Sequence, residues 1–379
     1  MRPRVLFISR KWPPAVGGME SYSKTLADSL AKHCEVELLV LPGRPDGRPP
    51  SLGAYGVFVL KAMWRVFRSP KRYHHLILGD VLLFPAGLVA AATASRCSRT
   101  VILYGLDLVY QRRPGLIPRI YRLFLKAFVS TQAKFHHKVA ISAHTRSLAE
   151  GVGVRDVSVI VPAIPDSALV NARPADELLP DAFNAVPRRI LYFGRLIHRK
   201  GVDWFAARVL PYLPHDVTLF VVGSPTDPAY AETVARRPRV EYLGRLPDNV
   251  LSAMIVRSHV VVMPNVTSVA DGDAEGFGLV AVEASALGAI LVASRLQGIT
   301  DAVIDGQTGT LVAAEDAVAW IEAVTSLLEE GEDARLERRR VAHAMSREAY
   351  SVERLGQAFF NLLESGYIAA PHANGAQCP

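Results

Sequence analysis

The stretch Ile190-Leu-Tyr-Phe-Gly-Arg-Leu-Ile-His-Arg-Lys-Gly201, running on into Val202, holds a complete structural unit in miniature. A four-residue apolar run that stops at Gly194 predicts a buried strand over 190–193, and Gly201 ahead of Val202 predicts a helix opening there. The unit repeats outward in both directions. Upstream, apolar runs stand at 5–9, 36–41, 76–78, 101–103, 139–141 and 158–161; downstream they stand at 217–222, 240–243, 260–263, 290–293 and 310–312. Each is followed by a helical or loop segment, and alternation of this kind predicts parallel βαβ units. Between the two series, Pro162, Pro165, Pro174, Pro180 and Pro187 fall in a segment without sustained period, which predicts a linker. The fold class is therefore α/β, with Rossmann-like domains over 1–165 and 188–350 and a linker over 166–187. A helix over 351–368 is expected to return toward the first domain, followed by a tail over 369–379. Open sheets bind ligands past the C-terminal ends of their strands, so two of them predict a site in an interdomain cleft.

A chain of 379 residues that is 50% hydrophobic can bury two cores of ordinary domain size. Cys34, Cys97 and Cys378 are odd in number and far apart, which predicts neither a disulfide framework nor a metal cluster and fits a reducing cytoplasm. The apolar stretch 81–94 is too short to span a bilayer, and the run after Arg2 and Arg4 ends at Ser9-Arg10-Lys11, as a first strand would. Charge is uneven: residues 1–185 hold 25 basic and 13 acidic side chains, a net +12, while the rest hold 18 and 23, a net −5. An anionic partner for the first half follows. Two stretches, Lys61-Ala-Met-Trp-Arg-Val-Phe-Arg68 and Ile117 to Phe128, interleave cations with aromatic and aliphatic residues at helical spacing. They read either as core helices with a solvated basic face or as helices seated on an anionic membrane through Trp64, Arg119, Arg122 and Lys126. No nucleic-acid-binding module accompanies the charge.

Three segments carry chemistry. In Asp271-Gly-Asp-Ala-Glu-Gly-Phe-Gly-Leu-Val-Ala-Val-Glu-Ala-Ser-Ala-Leu-Gly288, Gly276 and Gly278 predict a tight turn into a helix opening near Phe277. Glu275 then lies just ahead of the helix and Glu283 inside it. Carboxylates accept hydrogen bonds from sugar and ribose hydroxyls, and the free amides of a first helical turn, here from Phe277 through Leu279 to Val280, hold hydroxyl or phosphate oxygens. Solvated helix glutamates are the plainer reading of the pair taken alone. In the opening stretch, Arg195 and Lys200 form a candidate diphosphate clamp, with Arg199 or His198 as competitors and an exposed basic loop as the alternative. Near the start, Gly17-Gly18 precede a helix opening near Met19, without the three-glycine dinucleotide fingerprint or a Walker lysine.

Together, in this order and spacing, these segments resemble the retaining glycosyltransferases of family 4, whose members have the two-domain GT-B fold. The likeness runs over nearly the whole chain and is strongest from Gly194 to Lys200 and from Glu275 to Gly288. It implies that the N-terminal domain binds the acceptor and the C-terminal one the nucleotide-sugar donor. It implies that Arg195 and Lys200 contact the diphosphate, that Glu275 and the amides after it hold the donor sugar, and that Glu283 binds the ribose. Gly17 and Gly18 would line the donor–acceptor junction, and Asp107, which keeps its place, would orient donor or acceptor. Three departures stand out: Tyr104 where many relatives carry His, Pro162-Ala-Ile for the frequent Pro-Asn-Gly turn, and Gln297-Gly298 for a common Gly-Gly pair. The implied reaction is transfer of a hexose-type sugar, with retention, from a UDP- or GDP-sugar to an acceptor hydroxyl of a lipid-linked or other cell-envelope glycan. No metal or other cofactor is expected, and the place of action is the cytoplasm, peripheral to the inner face of the membrane. The alternatives are a donor-binding homologue without turnover and a nucleotide-sugar epimerase.

Overall fold

Every strand among the described residues pairs in parallel, so the connections within each sheet cross over, and the crossovers are the helical segments seen in the sequence. The structure, a computed structural model, describes residues 2–15, 17–45, 47–69, 72–94, 96–165, 179–267 and 273–367. The first sheet comprises β1 Arg4–Ser9, β2 Glu35–Val40, β3 His75–Leu78, β4 Ser98–Leu103, β5 His137–Ala140 and β6 Val157–Val159, in the order β2-β1-β3-β4-β5-β6. The second comprises β7 Arg188–Phe193, β8 Val217–Val222, β9 Val240–Gly244, β10 Val260–Met263, β11 Leu291–Arg295 and β12 Thr310–Ala313, in the order β12-β11-β10-β7-β8-β9. All twelve strands stand where the apolar runs predict them, displaced at their ends by a few residues. The central strands read as continuous runs rather than alternations because both faces are covered: Val5, Leu6, Phe7 and Ile8 are all buried.

The chain divides into two compact units. One holds β1 to β6 together with the helix Val352–Tyr367; the other holds β7 to β12. The C-terminal helix packs on the helix Gly18–Leu30, with Phe359 and Leu363 buried, His33 stacked on Phe360 at 5.3 Å, and Lys32 paired with Glu353 at 2.7 Å. On the opposite face of the first sheet, Leu6, Ile8, Leu76 and Leu78 share one core with Phe58 and Ala62 of the helix Leu52–Arg68, Phe84 of the helix Phe84–Thr93, and Leu125 and Phe128 of the helix Leu116–Thr131. The core of the second unit closes on Trp320, fully buried, whose indole N–H donates to the carbonyl of Ala313 at 3.1 Å.

Each sheet has a point where the connection order reverses, between β1 and β3 in the first and between β7 and β10 in the second. Loops leaving those strands diverge and leave a crevice. Of the expected linker, residues 166–178 lie outside the described residues, and Asp181–Asn184 forms a helical turn that buries Phe183. The expected tail from 369, together with Asp271 and Gly272, also lies outside them.

Candidate functional site

In the second unit, the loops after β7 and β10 meet on one carboxylate. Glu275 Oε2 accepts from Arg199 Nη1 at 2.5 Å, from Lys200 Nζ at 2.6 Å and from Asn265 Nδ2 at 3.1 Å. Arg199 Nε also lies 3.2 Å from Asp273. Burial alone would raise the Glu275 pKa, but Lys200 and Arg199 overcome it and hold the carboxyl well below its usual range. Burial lowers Lys200 more than Glu275 restores it. For Arg199, burial is outweighed by Glu275 and Asp273, which raise it.

Backbone geometry lets the two loops touch. Gly201 has φ +69°, and a Cβ there would stand 1.9 Å from the carbonyl oxygen of Pro264, so a side chain would push the β7 loop off the exit of β10. At Gly298 a Cβ would lie 2.3 Å from the carbonyl oxygen of Gly276. Its neighbour Gln297 adopts φ +50°, a conformation natural to glycine, and its Oε1 accepts from the backbone N–H of Glu275 at 2.6 Å. The sequence departure at Gln297 is thus a side chain bound to the glutamate loop.

The helix itself is Leu279–Ala286, capped by Gly278, and opens two residues later than expected. Gly276 and Phe277 belong to the turn, and the buried Phe277 ring meets Tyr350 edge-on at 5.9 Å. The shift leaves the amides of Leu279 and Val280 at the open end. Glu283 is half-buried one turn further on, and its carboxyl group has no hydrogen-bond or ion-pair partner among the described residues. Burial, and then the charge of Asp248, push its carboxyl up to about 7, while Lys200 opposes them. Lys200 therefore bears on both glutamates. Arg195 is exposed at the end of β7, with no hydrogen-bond or ion-pair partner for its guanidinium among the described residues; its carbonyl accepts from the buried Tyr192 hydroxyl at 2.8 Å. Sequence reasoning gave Arg199 the minor part, whereas the structure buries it beside Lys200.

In the first unit, residues following β1, β3 and β4 converge. Arg10 Nε lies 2.6 Å from Asp80 Oδ2, and its Nη2 lies 3.8 Å from Asp107 Oδ1. Asp107 also accepts from the backbone N–H of Tyr104 at 3.4 Å. Burial, then Asp80, push its carboxyl up to about 6 against the pull of Arg10 and Lys11. Tyr104, one of the three departures noted in the sequence, is buried with its ring edge-on to Tyr22 at 6.0 Å. Gly17 and Gly18 open the helix Gly18–Leu30 beside this cluster's strand, one residue earlier than expected. Arg10 and Asp80 were not singled out from the sequence; the available signal was their place directly past two strand ends. Trp64, Arg119, Arg122 and Lys126 are all exposed, on the helices Leu52–Arg68 and Leu116–Thr131, and Arg122 donates to the carbonyl of Gln111, four residues after Asp107, at 3.1 Å.

Residues 187–330 match the family model Glycosyl transferases group 1. Over 152 residues the chain is 38% identical to the glycogen synthase of Mycobacterium tuberculosis (strain ATCC 25618 / H37Rv), an overlap of 38% of this chain and 34% of that protein. Over 149 residues it is 36% identical to the GDP-mannose-dependent alpha-(1-6)-phosphatidylinositol monomannoside mannosyltransferase of Mycolicibacterium smegmatis, covering 37% of this chain and 38% of the other. The chain thus spans about a third of the length of the curated relatives it matches. Among solved structures, sucrose-phosphate synthase from Thermosynechococcus elongatus superposes with a TM-score of 0.73 at 19% identity, over 97% of this chain and all 100% of that one. Anabaena HepE in complex with UDP and glucose superposes with a TM-score of 0.71 at 18% identity, over 96% and 100%. The fold is GT-B: two six-stranded parallel sheets, each wrapped in helices.

Proposed function

From the match of residues 187–330 to the glycosyl transferases group 1 model, we propose that the protein moves a hexose from a nucleoside-diphosphate sugar to an acceptor hydroxyl with retention. The observation that carries the reading is Glu283, a half-buried carboxyl with no partner among the described residues, which feels the charge of the Lys200 that Glu275 Oε2 binds. A half-buried carboxylate with no protein donor is open to a ligand's donors, and a ribose diol supplies two. Arg195, free and exposed, and Lys200 take the diphosphate. Glu275, kept ionised, accepts from the donor sugar's hydroxyls, and the amides of Leu279 and Val280 donate to it. The first unit carries the acceptor, with Asp107 and Gly17-Gly18 as its polar contacts.

Chemistry follows from charge. As the bond between the anomeric carbon and the phosphate oxygen lengthens, negative charge builds on the diphosphate, and the two cations stabilise it without need of a metal ion. The acceptor oxygen bonds to the anomeric carbon on the face the phosphate leaves, and its proton passes to the departing phosphate oxygen. A protein nucleophile is not required, and Glu275 makes a poor one, since Oε2 already accepts three hydrogen bonds. GDP is the nucleotide printed in the mannosyltransferase relative's name; we favour UDP or GDP for the donor, and a lipid-linked or other envelope glycan for the acceptor.

Incubation with UDP- and GDP-hexoses plus candidate glycolipid acceptors tests this. We expect free nucleoside diphosphate and an axial product from an axial donor by NMR. A new nucleotide sugar would indicate epimerisation, and nucleotide-induced thermal stabilisation without release in any acceptor mixture would indicate a binding subunit.

A further inference from the structure

A helix packed on a sheet buries one stripe and normally shows a polar one to solvent. Two helices of the first unit break this rule in the same way. In Leu52–Arg68, Phe58, Ala62 and Val66 face the core, while Val57, Leu60, Trp64 and Phe67, at i, i+3, i+7 and i+10, form the opposite stripe with 59% to 68% of each side chain exposed. In Leu116–Thr131, Leu125 and Phe128 face the core, while Leu116, Ile120 and Leu123, at i, i+4 and i+7, stand 57% to 71% exposed, with Ile117 beside them. Both helices lie on the same side of the sheet. Phe84, between them in the shared core, packs against Phe124 at 4.7 Å and Phe128 at 5.8 Å. Eight of the twelve exposed large hydrophobic side chains among the described residues belong to this one face.

Its charge is of one sign. Neither helix contains an acidic residue, and Lys61, Arg68, Arg119 and Lys126 are exposed among the apolar stripes, with Arg68 lying over the Trp64 ring at 5.2 Å. An apolar patch of this size marks an interaction surface. The ring of cations decides its partner. A second copy of the chain docked through a twofold axis would bring like charges together across the contact, which disfavours that pairing. Anionic headgroups at the edge of an acyl layer match both the stripes and the charges.

We infer that the face made by the helices Leu52–Arg68 and Leu116–Thr131 seats the first unit in the interface of an anionic bilayer, with Trp64, Phe67, Ile120 and Leu123 inserted and the neighbouring cations on headgroup phosphates. No helix among the described residues is long and apolar enough to cross a membrane, so the unit lies on the surface rather than spanning it. The inference stands apart from the donor reading, since vesicle binding is read without nucleotide.

Co-sedimentation of the full chain with vesicles of phosphatidylcholine, alone or mixed equally with phosphatidylglycerol, tests it at low and high salt. We expect binding to the anionic vesicles, weakened but not abolished by salt because insertion persists after charge is screened. Trp64→Ser with Leu123→Ser should weaken binding about tenfold or more and remove the salt-resistant part. Arg119→Glu with Lys126→Glu should remove the preference for anionic lipid. These positions are exposed, so unchanged melting temperature and unchanged stabilisation by UDP or GDP would verify folding. Wild-type binding by the Ser pair, no binding by the wild type, or a concentration-dependent dimer that the Ser pair dissolves would each overturn the inference.

Discussion

The two units share one plan and oppose each other in charge. Each places a buried ionic cluster just past the strands where its connection order reverses. In the first, a single guanidinium, Arg10, stands between two carboxylates, Asp80 and Asp107. In the second, Glu275 stands between Arg199 and Lys200, Asp273 pairs with Arg199, and the exposed Arg195, close enough to bear on Lys200, leaves the cations in surplus. Topology fixes where a site lies, and the sign of the surplus charge fixes what it takes. The cation-rich cluster suits a diphosphate, whereas the carboxylate-rich one suits hydroxyls or a proton. Their outer surfaces differ too: the first unit shows apolar and basic stripes, while the second shows charged pairs such as Arg338 with Glu330 and Arg340 with Glu337.

The largest expected effect lies in the cation-rich cluster. Lys200→Ala and Arg195→Ala should each lower turnover on the order of 10²-fold, as loss of a donor to developing charge does. Their stability should diverge. Arg195 is exposed, so its removal leaves the melting temperature unchanged. Arg199→Ala should act the other way, with a smaller loss of turnover and a stability cost of up to about 3 kcal/mol, because Asp273 and Glu275 lose a buried partner while Lys200 remains. Kinetics and urea unfolding on the three variants decide it. A greater loss of turnover for Arg199 than for Arg195 would move the diphosphate from the exposed cation to the buried one.

Next in size is a pH effect that separates the clusters. Glu283 is pushed up to about 7 and Asp107 to about 6, both above the ordinary carboxyl range. A raised carboxyl contributes stability that is complete below its unfolded pKa and is lost as pH rises through the folded value. The nucleotide-free protein should therefore lose stability between about pH 4 and pH 7, and Glu283→Gln should remove the upper part of that loss. Binding should run oppositely. A ribose diol favours the ionised carboxylate, so affinity for UDP or GDP should rise about tenfold from pH 6 to pH 8 in the wild type. The nucleotide's own phosphate titrates nearby, which makes the Glu283→Gln profile the reference. Parallel profiles for the two proteins would detach Glu283 from the nucleotide.

Asp107 supplies the smaller counterpart. Asp107→Asn removes one charge from the carboxylate-rich cluster and leaves Arg10 paired with Asp80. Affinity for UDP or GDP should stay within about twofold of the wild type, while turnover with acceptor falls about tenfold or more. A nucleotide titration beside the transfer assay reads both. Equal losses in the two would place Asp107 on the donor.

What the sequence revealed follows from the same contrast. Central strands buried on both faces leave uninterrupted apolar runs, while edge strands such as β2 and β9, half-buried and interrupted by Glu37 and Glu241, were read from shorter runs and from the regular spacing. The motifs around Arg195, Lys200, Glu275 and Glu283 were legible because glycines flank them. Arg10 and Asp80 were not, because they meet across 70 residues of chain and nothing local marks the pair. Leu60, Leu116 and Leu123 were equally opaque. Apolar residues at helical spacing look alike whether they face the core or solvent, and only the sheet's position tells which.

The smallest prediction concerns how each cluster holds its carboxylate. Asp107 lies within its own turn and accepts from the N–H of Tyr104, three residues earlier. The Glu275 loop is held from outside, by the Gln297 side chain at the exit of β11. Gln297→Ala removes that acceptor and keeps a Cβ at φ +50°, so it should cost about 1 kcal/mol, the worth of one hydrogen bond. Gln297→Gly removes the same acceptor but frees the backbone to adopt its left-handed turn without strain. It should therefore be less destabilising than Ala by about 0.5 to 1 kcal/mol, opposite to the order of these residues at an ordinary position. Urea unfolding of the two variants reads the difference. If Gly proves the worse, the turn carries no strain, and the side chain's hydrogen bond is its only role.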